Sequence, residues 1–495
     1  MSRHQGPGPE QPMHQVVIIG AGLGGIGVSI KLSEAGLDDH VLLERASDIG
    51  GTWRDNTYPG IASDVPAQVY QYSFELNPDW THVFASGPEI MAYIRRLADK
   101  HGVMARVRLD SEVRSRRWDE ADHLWRLDTP QGEVTARYVI SAIGAFVDPK
   151  PADIPGVDRF AGDTMHTSRW DHDLDLSGKR VAMIGTGASA VQIIPEIADD
   201  VAHLDVFQRT PIWVGPKPDL PTPWPLRRLF RAVPAVQDAI RRVSVNGAET
   251  VLVGGVLQYQ DHPRFADLLA GAIRNVWYRL QVRDPELRAA LTPDYGFGCK
   301  RPSVSNRYLK TFTRSHVELV TTPIEEVTPE GVRTRDGVVH EAEVLILATG
   351  FRMATDPAIY ERTPVRGRDG FDLATAYREE RLRSYEGVSL PGLPNHFIVF
   401  GPYGWIGGTW HQLVEIASAH AIRVITAAQR LGATSVEVRE EACERWTESM
   451  RERFGRSLFL GGGCATANSY YFDSRGDVPY LRPTSSAEAV GATAS

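Results

Sequence analysis

Cysteine is scarce in this sequence: three residues in 495, at Cys299, Cys443 and Cys464. Such scattered positions make neither a disulfide framework nor a metal-ligand set, and they fit a reducing, cytoplasmic setting with no metal. No uninterrupted apolar run reaches membrane-spanning length; the nearest, Thr250 to Leu257, is short and carries two glycines. The first dozen residues are rich in Pro, Gly and Gln and lack an apolar h-region, so a disordered start without a signal peptide is expected. An excess of positive charge is missing too. The formal charge of −8 argues against a nucleic-acid partner and for plain solubility. Internal repeats and low-complexity tracts do not stand out. What remains is the composition of a soluble globular protein, 42% hydrophobic and 23% charged. At this length two or more cores are expected.

The unbroken β-branched run Val16-Val17-Ile18-Ile19 predicts a buried parallel strand. It feeds Gly20-Ala21-Gly22-Leu23-Gly24-Gly25 and a helix over 26–35. This is Gly-x-Gly-x-x-Gly in a strand–turn–helix setting. Gly20 allows the tight turn, Gly22 lets a pyrophosphate approach the backbone, and Gly25 lets helix and strand pack closely. The phosphates then meet the free N–H groups of the helix N-terminus. A second strand, His40 to Leu43, ends at Glu44, where a carboxylate can accept hydrogen bonds from ribose hydroxyls.

A second such unit follows. Pro149, Pro151 and Pro155 mark a linker, and Arg180 to Ile184 reads as a strand. It leads into Gly185-Thr186-Gly187-Ala188-Ser189-Ala190, in which Ala190 replaces the last glycine. The next strand, Leu204 to Phe207, ends in Gln208-Arg209-Thr210. Glu44 lies 24 residues after Gly20, and Arg209 lies 24 after Gly185, so equivalent positions carry opposite charges. An acid suits a free ribose diol; an arginine suits the 2′-phosphate of NADP. The first site is therefore expected to hold FAD or NAD, and the second NADPH.

Strand ends at Ala142-Ile143-Gly144 and Ala348-Thr349-Gly350 resemble each other and bracket the second unit. The expected fold is α/β, with two Rossmann-like dinucleotide-binding domains, the second inserted into the first, and a helical insertion. The boundaries read as a disordered start over 1–12, a first domain over 13–150 and 345–483, a second over 151–215 and 296–344, the insertion over 216–295, and a flexible tail over 484–495. The insertion opens with five prolines between Pro216 and Pro225. It carries amphipathic helices near Leu226 to Val243, broken at Pro234, and Arg264 to Val282. Packing on the domain below is the commoner use of such helices, although a basic amphipathic helix also suits a membrane surface.

Several stretches carry chemistry without a unique reading. Gly50-Gly51-Thr52-Trp53 suits either a loop covering a flavin or an ordinary turn. Gly296-Phe297-Gly298-Cys299-Lys300-Arg301 presents two cations on a glycine-rich turn, as a surface pair or an anion site. Phe160, Gly162, His166, Trp170 and Asp171 fill every fixed position of Phe-x-Gly-x-x-x-His-x-x-x-Trp-(Pro or Asp), just upstream of the second glycine turn. That pattern resembles the fingerprint of the Baeyer–Villiger monooxygenases. The likeness extends, in order, through both glycine turns, Gly50 to Trp53, Asp64-Val65-Pro66, Gln208-Arg209-Thr210 and Lys300-Arg301. Disulfide-reductase relatives need a redox cysteine pair after the first helix, and no cysteine precedes Cys299.

The resemblance implies a single-chain enzyme with FAD and NADPH that oxygenates a ketone with O₂ to an ester or lactone through a C4a-peroxyflavin. It implies that Arg301 is the fixed cation of the reaction and that Asp64 positions it by an ion pair. Glu44, Thr52, Trp53, Asp64, Tyr70 and Val113 would contact FAD. Thr186 through Gln192 would line the NADP pyrophosphate, with Lys300, Arg209 and Thr210 at the 2′-phosphate. The fingerprint would sit in the linker between the domains and couple them mechanically. Trp405 and Trp410 suggest a bulky apolar ketone, and His411 reads as a capping or packing residue. The alternatives are S- or N-oxygenation on the same fold, and a flavoprotein redox sensor without turnover. The oligomeric state is not legible.

Overall fold

The structure, a computed structural model, describes residues 13–250, 265–406, 409–455, 457–460, 463, 464 and 466–494. The expected disordered start and most of the apolar run Thr250 to Leu257 lie outside the described residues. The strand His14–Ile19 is the axis of the first sheet. It runs parallel to His40–Leu43 on one side and Gly132–Ser141 on the other. Its β-branched run from Val16 to Ile19 is buried, as a strand covered on both faces requires. His396–Ile398 joins Gly132–Ser141 in parallel, which brings the C-terminal third of the chain back into this sheet. An antiparallel meander, Ser115–Asp119 with Leu124–Thr129 and then Gly132–Ser141, extends it, and Val365–Arg366 pairs in parallel at its edge. The strand Val107–Arg108, beside His40–Leu43, is short, because Asp110 takes a left-handed φ of 51° and turns the chain away.

A second sheet is parallel throughout, in the order Val317–Val320, His203–Phe207, Arg180–Ile184, Val344–Leu347 and Asp163–His166. Its edge strand is part of the fingerprint stretch. That stretch is thus built into the second sheet, where the sequence suggested a linker. Gly162 is needed there: a Cβ would come within 2.2 Å of the Glu343 carbonyl oxygen.

The chain leaves the first sheet after Ser141 and returns after Leu347. The two crossings pair with each other: Phe146–Pro149 and Phe351–Met353 form an antiparallel ribbon. The likeness of the two strand ends has a steric counterpart. Gly20 (φ 101°) and Gly185 (φ 108°) turn against the Ala142 and Ala348 carbonyl oxygens, where a Cβ would lie at 2.8 and 2.6 Å.

The helical segment breaks at Pro234 as expected, giving Trp224–Ala232 and Pro234–Glu249; Phe265–Gln281 and Pro285–Leu291 follow. It packs on the body of the protein. Gln237 donates to Gln68 Oε1 at 2.9 Å and to the Asn77 carbonyl at 2.6 Å, and Tyr278 bonds the backbone of Ile212 and Val214.

Two further expectations fail. The tail from 484 onward is a helix, Ser486–Ala494, docked beside the long helix Trp410–Leu431. Ser486 Oγ donates to buried Glu249 at 2.5 Å, and just before the tail buried Arg482 pairs with Glu386 at 2.8 Å, so a polar side chain anchors what composition alone marks as free. The second failure concerns cysteine. Cys299 and Cys464, 165 residues apart, form a disulfide with Cα atoms 5.3 Å apart. The Gly296 N–H donates to the Gly463 carbonyl at 3.0 Å, which brings the two loops together where sequence distance hides the pairing. Cys443 stays free and buried, its thiol pushed up to about 11 by burial.

Candidate active site between two dinucleotide turns

The two glycine turns open into one cavity of about 1720 Å³. Each ends in a helix with almost the same entry geometry. Gly22 (φ −74°, ψ −173°) precedes Leu23–Glu34, and Gly187 (φ −73°, ψ −174°) precedes Ala188–Ile197. Neither helix has a side-chain cap or an acidic residue in its first turn, so the first N–H groups are left for an anion. Gly25 is the close-packing glycine: a Cβ there would lie 1.9 Å from the Gly20 carbonyl oxygen. Ala190 takes the corresponding place in the second turn and is fully buried. Neither lines the cavity, whereas Gly20, Gly22, Gly185, Thr186, Gly187, Ala188 and Ser189 do.

At the end of the next strand the two units differ. Glu44 is buried; its Oε2 accepts from the Ala21 N–H at 2.8 Å, and its Oε1 from the Ala46 N–H at 3.0 Å and from Arg54 at 3.1 Å. An ionised carboxylate has about four acceptor positions, so one remains for a ribose hydroxyl. Backbone register corrects the counting by residue number. Ile19 pairs with Leu43, and Ile184 with Phe207. The position matching Glu44 is therefore Gln208, and Arg209 matches Arg45. One residue fewer separates turn and strand end in the second unit. The charge contrast survives in altered form: the acid is replaced by a neutral amide, and an exposed Arg209 follows it.

Lys300 and Thr210 line the same part of the cavity. Burial, and secondly Arg209, lower the Lys300 pKa to about 8. Gln192 lines the cavity too, but its amide is already engaged. It accepts from the Ala62 N–H at 2.8 Å and donates to the Ala188 carbonyl and the Tyr58 hydroxyl. It ties the second glycine helix to the loop that carries Asp64.

Asp64 and Arg301 line the same cavity and meet there. The guanidinium is bidentate, Nε to Oδ2 at 2.7 Å and Nη2 to Oδ1 at 2.6 Å. The Asp64 charge holds the Arg301 pKa far above its ordinary value, so the cation is permanent. Arg301 also lies over the Trp405 ring, 5.8 Å from its centroid. Trp53 donates to the Tyr70 hydroxyl at 3.0 Å, and burial pushes that hydroxyl up to about 12. Thr52, Trp53, Tyr70, Val113, Trp405 and Trp410 all line the cavity. His411 is fully buried between Tyr70 and Tyr72, 4.7 Å from each ring, and burial lowers its pKa to about 3.

None of the fixed fingerprint residues, Phe160, Gly162, His166, Trp170 and Asp171, lines the cavity; their neighbours Thr167, Ser168 and Arg169 do. His166 bonds Ser168 through Nδ1 at 2.8 Å and packs edge-on against Phe351, 5.8 Å away, on the ribbon between the sheets. Burial lowers its pKa.

Comparison with known proteins adds to this geometry. A Baeyer–Villiger monooxygenase of Streptomyces coelicolor is 39% identical over 476 residues, covering 96% of this chain and 89% of the relative. A Baeyer–Villiger monooxygenase of Pseudomonas aeruginosa is 39% identical over 462 residues, covering 92% and 86%.

The chain belongs to the Baeyer–Villiger monooxygenase family.

Solved structures agree. OTEMO in complex with FAD and NADP superposes with a TM-score of 0.85 at 30% identity, covering 98% of both chains. An oxidized steroid monooxygenase bound to NADP gives 0.84 at 29%, covering 97% of both. As a Baeyer–Villiger monooxygenase the protein uses FAD and NADPH. The cavity fits both groups: uncapped helix N-termini for two pyrophosphates, a carboxylate at one strand end and cations at the other. Residues 17–250 also match the family described as pyridine nucleotide-disulphide oxidoreductase. That span contains no cysteine, so the match reflects the shared dinucleotide architecture and not a redox disulfide.

Asn468, Tyr470 and the Phe146–Phe351 ribbon line the cavity as well and were not assigned a role from sequence. Their signal was weak. Aromatic and amide residues far apart in the chain acquire a common position only through the pairing of the two crossings.

No described helix is long and apolar enough to cross a membrane.

Proposed function

We propose that residues 13–150 and 345–483 form the FAD domain, residues 151–215 and 296–344 the NADPH domain, and that the reaction takes place at Arg301. The observation that carries this reading is the bidentate Asp64–Arg301 pair, set between an acidic and a basic nucleotide site in one cavity. Bound FAD, reduced by NADPH, supplies the chemistry that activates O₂. The chain's own part is electrostatic. Attack on a ketone carbonyl puts negative charge on its oxygen, and a preorganised guanidinium stabilises that charge without reorganising. Arginine suits the task because it keeps its proton. Asp64 fixes the orientation of the fork, and Trp405 covers its face. The walls nearby are aromatic (Phe146, Phe351, Trp405, Tyr470), which favours a bulky apolar ketone and keeps water out.

The fingerprint acts in this reading as a coupling element. Its His166 touches the ribbon through which both crossings pass, so a movement of the NADPH sheet is felt at Phe351 and Phe146. The need for NADPH argues for a cytoplasmic location, against which the Cys299–Cys464 pair weighs.

The test uses the FAD-loaded protein, NADPH, O₂ and a panel of linear, cyclic and fused-ring ketones, with products resolved by mass. Ketone-dependent NADPH oxidation giving an ester or lactone one oxygen heavier than the ketone is the expected result. Sulfoxide or N-oxide as the sole product, or hydrogen peroxide alone, would overturn it.

A further inference from the structure

The cationic site is completed by a residue from the far end of the chain. Asn468 sits in a left-handed turn (φ 48°), a conformation that asparagine tolerates better than most side chains. With its amide oxygen facing Arg209, it accepts from Nε at 2.7 Å and from Nη2. Arg209 has no carboxylate partner among the described residues. Asn468 thus holds one edge of the guanidinium, Nε and one N–H of Nη2. The end-on edge, formed by Nη1 and the second N–H of Nη2, stays available. That edge is a fork of the kind that grips a phosphate through two parallel hydrogen bonds.

Position reinforces the point. The segment containing Asn468 is tied to the Lys300 loop by the Cys299–Cys464 disulfide, one residue before Lys300 and four before Asn468. Lys300, Arg209, Thr210 and Asn468 line one cavity. An amide is the right group for the place. A carboxylate would orient the guanidinium equally well, but it would neutralise the cation and repel a dianionic phosphate. An apolar residue would leave the long arginine side chain unoriented.

We propose that Asn468 is a coenzyme-specificity residue, which orients Arg209 toward the 2′-phosphate so that the C-terminal segment takes part in choosing NADPH over NADH. This rests on the assignment of Arg209 to the 2′-phosphate. It also makes Asn468 a positioning residue: its effect passes through Arg209 and is confined to the phosphorylated coenzyme.

The experiment compares FAD-loaded Asn468→Asp, Asn468→Gly and Arg209→Ala, measuring KM for NADPH and NADH and binding of NADP⁺ and NAD⁺ by flavin absorbance. Asn468→Asp keeps the acceptor and adds charge, and should raise KM for NADPH about 100-fold while moving NADH less than about threefold. Asn468→Gly accepts the left-handed backbone and should raise KM for NADPH about tenfold, again sparing NADH. Equal weakening of both coenzymes by the Asn468 variants, or no weakening of either, overturns the inference. Arg209→Ala separates this from the underlying assignment. If it discriminates between the coenzymes and the Asn468 variants do not, only the Asn468 role fails. If it does not discriminate, the 2′-phosphate assignment fails with it.

Discussion

The two nucleotide sites of this enzyme start from the same backbone and end in opposite states. Both have a glycine with φ near 100° packed on an alanine carbonyl, and both open into an uncapped helix. At the first, the decisive side chain is buried and satisfied: Glu44 is fixed by two backbone N–H groups and Arg54. At the second, the decisive side chain is exposed, and its hydrogen-bond partner is an amide from another part of the chain. A rigid, mostly closed site suits a cofactor that stays. A site whose cation is exposed suits a coenzyme that arrives and leaves each turnover. In the proposed assignment nearly identical local geometry serves two residence times, and the difference lies in how each strand end is wired.

The contrast can be broken at either end. The largest effect is expected at the closed site. Glu44→Gln removes the charge that Arg54 and two N–H groups were arranged to meet, so the site loses its order as well as an acceptor. FAD affinity should fall by two orders of magnitude or so on that ground, read as flavin lost on gel filtration. Retention of full FAD would mean that Glu44 is only structural. Next comes Arg209→Ala, which should weaken NADPH by about 100-fold and NADH by much less, since the proposal sets this fork against the 2′-phosphate that only NADPH carries.

A smaller, pH-dependent effect belongs to Lys300. Its pKa is lowered to about 8, so the ammonium is present below that pH and is lost as pH rises through it. The 2′-phosphate is already a dianion there. The ratio of KM for NADPH to KM for NADH should be flat between about pH 7 and pH 8, where the phosphate is a dianion and the ammonium is present, and rise above it. Lys300→Arg should flatten the profile, because a guanidinium stays charged. The smallest effect is expected from His166→Ala. FAD should remain bound, while the ester formed per NADPH consumed falls and peroxide rises. Loss of FAD in this variant would make the fingerprint structural rather than coupling.

Local pattern was enough to find much of this in the sequence. Strand, glycine turn and helix are contiguous, so Val16 to Gly25 and Arg180 to Ala190 announced themselves. The Asp64–Arg301 pair came from the family resemblance, because 237 residues separate its members and no local rule joins them. Other features were misread for identifiable reasons. Counting residues from the glycine turn put Arg209 opposite Glu44, whereas strand register puts Gln208 there; a loop one residue shorter is invisible to counting. The tail from 484 looked free because small polar residues fill it, yet Ser486 is anchored to Glu249, a partner 237 residues away. The three cysteines looked unrelated because proximity across 165 residues is a property of the fold. Long-range pairing between otherwise ordinary side chains was the common element in the last two.

The cation that both sites converge on provides the most direct test. In FAD-loaded Arg301→Ala, flavin reduction by NADPH should proceed within about threefold of the parent rate, since both glycine turns, Glu44 and Arg209 are unchanged. Ester formation should drop by at least 100-fold or so, the scale seen when a preorganised charge is removed from an oxyanion. Rapid-mixing absorbance of flavin reduction, paired with product mass in the same preparation, measures both. Reduction kept and oxygenation lost is the predicted result. Full ester yield from the variant would contradict the account by removing Arg301 from the chemistry.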